Sequence, residues 1–264
     1  MPVTLDQIVA ATRRRLAVRH AAADLPALER QALDHRPRGF RRALAERATT
    51  APAIISELKK ASPSKGVLRA SLDVAALAPQ LEAAGATALS VLTEEDYFLG
   101  SLSNLRLASA SCQLPCLCKD FIVTELQLLE ARAHGADCVL LLASVLSDAE
   151  LRRLLVRARE LELDALCEAH DETELERALA AGADLIGVNS RDLRTFHVDL
   201  STPLRLAERL PASVVRIAES GIHSAADLAR LRAAGYQAFL IGESIISSAD
   251  PGQALRQLLA DAVG

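Results

Sequence analysis

The chain contains no tryptophan, only two tyrosines and five phenylalanines. Surfaces that hold nucleobases or sugars by stacking need aromatic faces, so this scarcity argues against both. It also leaves the core to Leu, Val, Ile and Ala. A long basic run is missing too, and the net charge is only −4 with both signs scattered along the chain. That pattern argues against a nucleic-acid footprint. No apolar stretch reaches the length of about 18 residues that a membrane span needs. The N-terminus reaches Arg13-Arg14-Arg15 without an apolar segment ahead of it, so it does not read as a secretory signal, and a cytoplasmic location is expected. Cysteine is limited to Cys112, Cys116, Cys118, Cys138 and Cys167. An odd number in such a chain does not suggest a disulfide framework. Cys116 and Cys118 stand two apart in an apolar strand pattern and so share one face of it. No second Cys/His pair with zinc spacing stands near them, and no metal site is expected.

What the chain has is apolar content: half of its 264 residues are hydrophobic. That suits one large α/β domain better than two small ones. Residues 1–49 read as helix, turn, helix. Leu5, Ile8, Val9 and Leu16 recur at helical spacing behind Thr4, a candidate N-cap. His35-Arg36-Pro37-Arg38-Gly39 breaks the pattern, and Phe40 to Arg47 resumes it. From Ala53 onward, short apolar runs alternate with longer amphipathic segments. The runs are Ala53–Leu58, Ala88–Leu92, Cys116–Lys119, Cys138–Leu142, Asp164–Glu168, Leu185–Asn189, Val214–Glu219 and Phe239–Gly242. Between them lie helical stretches such as Asp73–Ala84, Thr124–Ala133, Asp148–Glu160, Glu172–Ala181 and Ser224–Ala234. Strands buried on both faces and alternating with helices predict a parallel sheet. Gly85, Gly135, Gly182 and Gly235 each stand between a helix and the next strand, where a left-handed residue closes a helix. Eight such units predict an α/β fold: a (β/α)8 TIM barrel over 50–264 with an N-terminal helical extension over 1–49, forming a single domain over 1–264. A doubly wound sheet is the competing fold. It would follow its first strand with G-x-G-x-x-G, whereas this chain has Lys60-Ala61-Ser62-Pro63-Ser64-Lys65-Gly66.

Ligand chemistry in such a barrel sits at the C-terminal ends of the strands. Period-two alternation puts Glu57 and Lys59 on one face of the first strand. Lys119, Glu168, Asn189 and Glu219 hold the corresponding last positions of their own strands. Any one of them could be part of a solvated rim of ion pairs. Two lysines, three carboxylates and an amide, each ending an apolar strand, instead point to a site, because unpaired buried charge is costly. Glu219-Ser220-Gly221 and Gly242-Glu243-Ser244 end the last two strands, where barrels bind phosphate through backbone N–H groups and a helix N-terminus. The loop Lys60 to Ser71 is long and basic (Lys60, Lys65, Arg69) and reads either as a lid over the anion or as a surface loop. The histidines show no ligand spacing. His170, His197 and His223 receive no role, and His20, His35 and His134 look like surface residues.

Together these segments resemble indole-3-glycerol phosphate synthase. The resemblance rests on Ile55-Ser56-Glu57-Leu58-Lys59-Lys60-Ala61-Ser62-Pro63-Ser64-Lys65-Gly66, Leu89-Ser90-Val91-Leu92-Thr93, Tyr97-Phe98-Leu99-Gly100-Ser101, Cys118-Lys119-Asp120-Phe121-Ile122, Gly187-Val188-Asn189-Ser190-Arg191-Asp192-Leu193 and Ala218-Glu219-Ser220-Gly221-Ile222. It covers essentially the whole chain. The first motif and Lys-Asp-Phe-Ile are specific to the family, while Glu-Ser-Gly-Ile is shared with other phosphate-binding barrels. Ser190 stands where Asn is common, and Ala169-His170 follows Glu168 where many members have another pair.

The resemblance implies an enzyme, a carboxy-lyase that closes, decarboxylates and dehydrates 1-(2-carboxyphenylamino)-1-deoxyribulose 5-phosphate with no cofactor and no metal. It makes Lys119 the acid that protonates the ribulose carbonyl oxygen. Lys59 pairs with the benzoate carboxylate and can donate a proton in the dehydration. Glu168 becomes the acid/base of that step, with Glu57 orienting the lysines or sharing the proton traffic. Asn189 and Glu219 hydrogen-bond the ribulose hydroxyls with support from Arg191. Ser62, Ser220, Gly221, Gly242 and Glu243 form the phosphate cradle, and Leu92, Phe98, Phe121 and Leu142 wall the aromatic ring. The expected partner is a small anionic substrate carrying carboxylate and phosphate, with no nucleic acid or membrane, on a monomer. The N-terminal helices cover part of the mouth in the family; read from the residues alone, they could equally plug the barrel bottom or form an oligomer contact. Two other readings compete. One is another phosphate-binding barrel, such as phosphoribosylanthranilate isomerase, whose Cys/Asp pair is not seen, or a flavin-dependent oxidase. The other is a non-catalytic phosphate-binding barrel, which should have lost one of Glu57, Lys59, Lys119 or Glu168.

Overall fold

The computed structural model describes residues 4–192 and 195–262. Eight parallel strands close into a barrel: β1 (Ala53–Leu58), β2 (Ala88–Leu92), β3 (Cys116–Lys119), β4 (Cys138–Leu142), β5 (Asp164–Ala169), β6 (Leu185–Asn189), β7 (Val215–Glu219) and β8 (Ala238–Ile241). β8 returns to pair with β1, in register from Ala53 opposite Ala238 to Ser56 opposite Ile241. Four predicted strand bounds, in β5, β7 and β8, differ from the structure, each by one residue.

The period-two pattern sorts side chains into two layers. Ile55, Leu117, Leu140, Leu166, Ile217 and Leu240 fill the inside of the barrel. Ile54, Leu89, Cys116, Cys118, Val139, Cys167 and Ile186 face outward into the layer beneath the helices. Cys116 and Cys118 thus share the outer face, as their spacing predicts.

Three helices precede the barrel where two were expected: α1 (Leu5–Ala22), α2 (Leu25–Asp34) and α3 (Phe40–Ala48). The extra helix, α2, has Asp24 as N-cap and Pro26 in its first turn, and buries only Ala32 fully. The predicted Thr4 cap of α1 is a full capping box with Gln7. The outer helices are α4 (Val74–Ala83), α5 (Leu102–Ser111), α6 (Glu125–Ala133), α7 (Asp148–Glu160), α8 (Glu172–Ala180), α9 (Ser201–Leu206), α10 (Ala225–Ala233), the short α11 (Glu243–Ile246) and α12 (Pro251–Asp261). Gly85, Gly135, Gly182 and Gly235 all take positive φ, between 87° and 100°, as their position after a helix requires. Among the described residues no helix is long and apolar enough to cross a membrane.

The extension embraces the barrel at both ends. α1 is tied to the mouth, where Arg15 meets Glu94 at 2.9 Å and Asp96 at 3.0 Å in the loop after β2. α2 packs along α6. α3 closes the floor, with Phe40 and Leu44 fully buried against the inward residues that begin the strands. The buried pivot of this arrangement is Asp137, just before β4. Its carboxylate accepts from the backbone N–H of Arg38 at 2.6 Å, the Arg38 guanidinium, and the Cys116 N–H at 2.7 Å. His35 approaches it at 3.2 Å. His35 is therefore partly buried and paired, and not the surface residue its sequence suggests. His134 is likewise half-buried, with Nδ1 2.7 Å from the Glu130 carbonyl. Removing one partner from a buried, multiply bonded charge leaves the others unpaired. Asp137→Ala is expected to cost about 3–5 kcal/mol of stability, measured as a lowered midpoint in denaturant unfolding followed by circular dichroism.

Candidate active site

One cavity opens at the C-terminal ends of the strands, and all twelve predicted site residues line it: Glu57, Lys59, Ser62, Lys119, Glu168, Asn189, Arg191, Glu219, Ser220, Gly221, Gly242 and Glu243. Leu92, Phe98, Phe121 and Leu142 line the same cavity, with the two phenylalanine rings 6.1 Å apart and tilted by 42°. The register of the barrel brings the charged groups together. Glu57 and Lys59, two apart on β1, point inward and pair directly with each other. Lys119 reaches across the barrel and donates to Glu168 Oε2 at 2.9 Å and Glu219 Oε2 at 2.7 Å. Asn189 donates from Nδ2 to Glu168 Oε1 at 3.0 Å and accepts the Arg191 N–H on Oδ1 at 3.0 Å.

Burial makes these contacts strong, since the side chains of Glu168 and Glu219 are 2% and 1% exposed. Desolvation opposes charge on Lys119, but Glu168, Glu219 and Glu57 outweigh it and hold the ammonium well above the ordinary lysine value. Desolvation also works against Glu168, where Lys119 and His170 prevail and hold the carboxylate well below its usual range. Glu219 goes the other way. Burial, reinforced by the charge on Glu168 and opposed by Lys119, pushes it up to about 8. Neutral pH thus finds an ammonium, a carboxylate and a carboxylic acid in mutual contact. Its second oxygen, Oε1, is buried with no hydrogen-bond partner, which a neutral carboxyl tolerates better than an ionised one.

The phosphate end has backbone to offer. Gly242 caps α11, whose first residue is Glu243, and Ser220 and Gly221 both take positive φ, 65° and 75°. Ser220 is a non-glycine residue held in the left-handed region, a strain that collects at ligand sites. The carboxylate of Glu243 is flanked by Lys65 and Arg191, both at 3.5 Å. The predicted lid is partly ordered: Ala61–Ser62 and Gly66–Val67 form a small antiparallel ribbon. Arg69 is spoken for, because its guanidinium donates to the carbonyls of Ile246 and Ser248 at 3.1 Å each. It ties the loop to the end of α11 and does not face an anion.

Sequence reasoning missed several participants. His170 received no role, yet its Nε2 lies 3.2 Å from Glu168 Oε1 and its Nδ1 3.0 Å from Glu174 Oε2. Asp120 also lines the cavity, held by the Thr93 hydroxyl at 2.7 Å and the Phe121 N–H at 2.8 Å. Two glycines act through what they lack. A Cβ on Gly187 would stand 2.1 Å from Glu219 Oε1, and one on Gly242 would stand 2.4 Å from Glu57 Oε1. A glycine inside a buried strand such as β6 was the available signal for the first.

Fold and site together define a protein of the (β/α)8-barrel class with a buried cluster of lysines and carboxyl groups at the C-terminal mouth of its barrel. The solved 3-hexulose-6-phosphate synthase of Salmonella typhimurium shares this fold at a TM-score of 0.65 and 13% identity, covering 80% of this chain and 98% of its own. A sequence model of indole-3-glycerol phosphate synthase matches residues 5–258. An indole-3-glycerol phosphate synthase of Koribacter versatilis is 54% identical over 259 residues, 98% of this chain and 100% of that protein. One from Polaromonas naphthalenivorans is 44% identical, covering 97% and 98%. The chain belongs to the indole-3-glycerol phosphate synthase family, carboxy-lyases of tryptophan biosynthesis.

Two outcomes follow from the geometry. Gly187→Ala is expected to push the Glu219 carboxyl off Lys119 and to destabilise the fold by about 1–3 kcal/mol through overpacking. A crystal structure of the variant and its denaturation midpoint check both effects. Glu219 binds its proton more tightly in the folded state than at its ordinary value of 4.5. Its contribution to stability is therefore complete below pH 4.5 and is lost as the pH rises through about 8. Relative to Glu219→Gln, the wild-type thermal midpoint should fall across that window; a constant difference would refute the raised carboxyl.

Proposed function

We propose that this cluster closes the indole ring of 1-(2-carboxyphenylamino)-1-deoxyribulose 5-phosphate and expels carbon dioxide and water, giving indole-3-glycerol phosphate. The observation that carries the reading is a charged lysine clamped between two buried carboxylates of opposite protonation state, facing a second Lys–Glu pair across one cavity. Family membership supports the reaction.

Ring closure builds negative charge on the ribulose carbonyl oxygen as the aromatic carbon attacks. Lys119 meets it with a proton, because its carboxylate partners keep it an ammonium until that moment. Lys59, at the mouth beside Glu57, pairs with the benzoate carboxylate until it leaves as carbon dioxide. It then gives its own proton to the departing hydroxyl. Glu168, ionised, takes the ring proton whose loss completes the indole. Glu219 and Asn189 hold the ribulose hydroxyls, and a neutral Glu219 does so as a donor. The backbones of Gly221, Gly242 and Glu243, with Ser62 and Ser220, receive the phosphate. Lys65 and Arg191 offset the Glu243 carboxylate there. Leu92, Phe98, Phe121 and Leu142 bound the aromatic ring. In this reading extension and barrel act as one domain in a cytoplasmic monomer that needs neither cofactor nor metal.

The test is turnover of the carboxyphenylamino-deoxyribulose phosphate, followed by indole fluorescence. Lys119→Ala should lower kcat by about 10²–10⁴-fold while the protein stays folded. Turnover that survives the substitution would move the first proton to Lys59 or Glu168. A folded wild type without turnover would sink the reaction itself.

A further inference from the structure

We propose that His170 recharges Lys119 through Glu168, drawing its protons from a second cavity behind the active site. The inference rests on the reaction proposed above. In that reaction Lys119 and Lys59 each give up a proton and Glu168 recovers one. A substrate with an ionised carboxylate therefore takes one proton from water per turnover. Timing adds a second demand. Lys119 discharges in the first step, whereas Glu168 must be an ionised base in the last. Recharging Lys119 between them, with the intermediate still bound and filling the mouth, requires another approach to the cluster.

The structure supplies one. Glu168 points into the barrel at the end of β5, and two residues later His170 stands behind it. The ring is only 14% exposed, with Nε2 3.2 Å from Glu168 Oε1 and Nδ1 3.0 Å from Glu174 Oε2. Glu168 Oε2 in turn accepts from Lys119 at 2.9 Å. His170 and Glu174 line a separate cavity with Asp171, His197 and Asp199, while Asn189 borders both cavities. The Glu174 carboxylate also accepts the His170 backbone N–H at 2.8 Å, which fixes the ring between the two acids. The Nε2 contact is an ion pair whose geometry falls short of a hydrogen bond. Catalytic hydrogen bonds commonly come into line only with substrate bound.

The energetics run in the required direction. Burial disfavours the charged ring, but Glu168 and Glu174 outweigh it and raise His170 to about 10, so it is an imidazolium at neutral pH. Lys119 is raised from a still higher ordinary value of 10.5, so net transfer from His170 to a discharged Lys119 is downhill. Once Lys119 is neutral, Glu168 has lost its largest favourable partner and accepts more readily. The Nε2–H bond breaks as the Glu168 O–H bond forms. Glu168 then hands a proton to the Lys119 amine, and Nε2 is reprotonated by water entering the second cavity, while Nδ1–H stays on Glu174.

The experiment compares wild type with His170→Ala in the fluorescence assay, with and without added imidazole. The expected result is a fall in kcat of about tenfold or more, KM changed by less than about twofold, and kcat restored by imidazole in proportion to its imidazolium fraction. A residue that merely packs behind Glu168 would show no such rescue. Unchanged kcat, or a loss that imidazole does not restore in a folded variant, overturns the relay. Should His170→Ala fail to fold, His170→Asn keeps a partner for Glu174. Its kcat must then fall with KM held, and an unchanged kcat overturns the relay equally. Wild type that turns over beside an unimpaired variant sinks the relay alone; wild type without product sinks the reaction and the relay with it.

Discussion

Everything at the mouth of this barrel depends on one buried cation. Lys119 sits at the last inward position of β3, away from water, and the acids Glu168, Glu219 and Glu57 around it make that placement tolerable. The converse holds as well. Glu168 stays ionised in a nearly water-free setting because Lys119 and His170 face it. Glu219, sharing the same lysine, cannot also ionise cheaply beside a second negative charge. One ammonium between two acids thus yields an acid, a base and a neutral donor from three side chains on three strands. The assignment of protonation states is a consequence of packing, and it is set before any substrate arrives.

Such a cluster has to be held by parts that carry no charge themselves. Gly187 and Gly242 leave the space that the Glu219 and Glu57 carboxyls occupy. The other end of the barrel is closed by Phe40 and Leu44 of α3, so the charged layer rests on an apolar floor and not on a water channel. The extension is locked to the barrel by Asp137, and its first helix by Glu94. The latter carboxylate accepts Arg15 and the backbone N–H groups of Asp96, Tyr97 and Phe98 in the same loop. That loop carries Phe98, which lines the cavity at the mouth. Cavity-lining and fold-holding groups are therefore coupled through the buried Glu94.

How much of this the sequence displays depends on the range of the interaction. Strands and helices are legible because period-two and helical repeats, caps such as Thr4 and the four helix-ending glycines are local facts. The strand ends are legible for the same reason: an apolar run that stops on Lys119, Glu168 or Glu219 announces a charge at the barrel rim. What escaped is what depends on neighbours distant in the chain. His35 reads as a surface residue until Asp137, about a hundred positions away, is folded onto it. Arg69 reads as a free cation until α11 presents its terminal carbonyls. His170 has no ligand spacing in sequence, since its meaning comes from the turn that places it behind its near neighbour Glu168. α2 is different: its cap Asp24, Pro26 and the helical spacing of Leu25, Leu28 and Ala32 are local signals, and reading one helix up to His35 passed over the break at Ala23-Asp24.

The two lysines show why a site with duplicated residue types need not duplicate roles. Lys119 has two carboxylates and a histidine behind them, and little contact with solvent. Lys59 has, among the described residues, a single carboxylate partner, Glu57, from its own strand. A lysine tethered by one acid can release its charge toward an incoming carboxylate and then, as that carboxylate departs, toward a leaving hydroxyl. A lysine clamped by two acids gives up its proton only to a strong developing base, and has groups at hand to recover it. Under the proposed reaction, this difference in surroundings, not in side chain, suits Lys119 to the carbonyl oxygen of ring closure and Lys59 to the exchange of anions at the mouth.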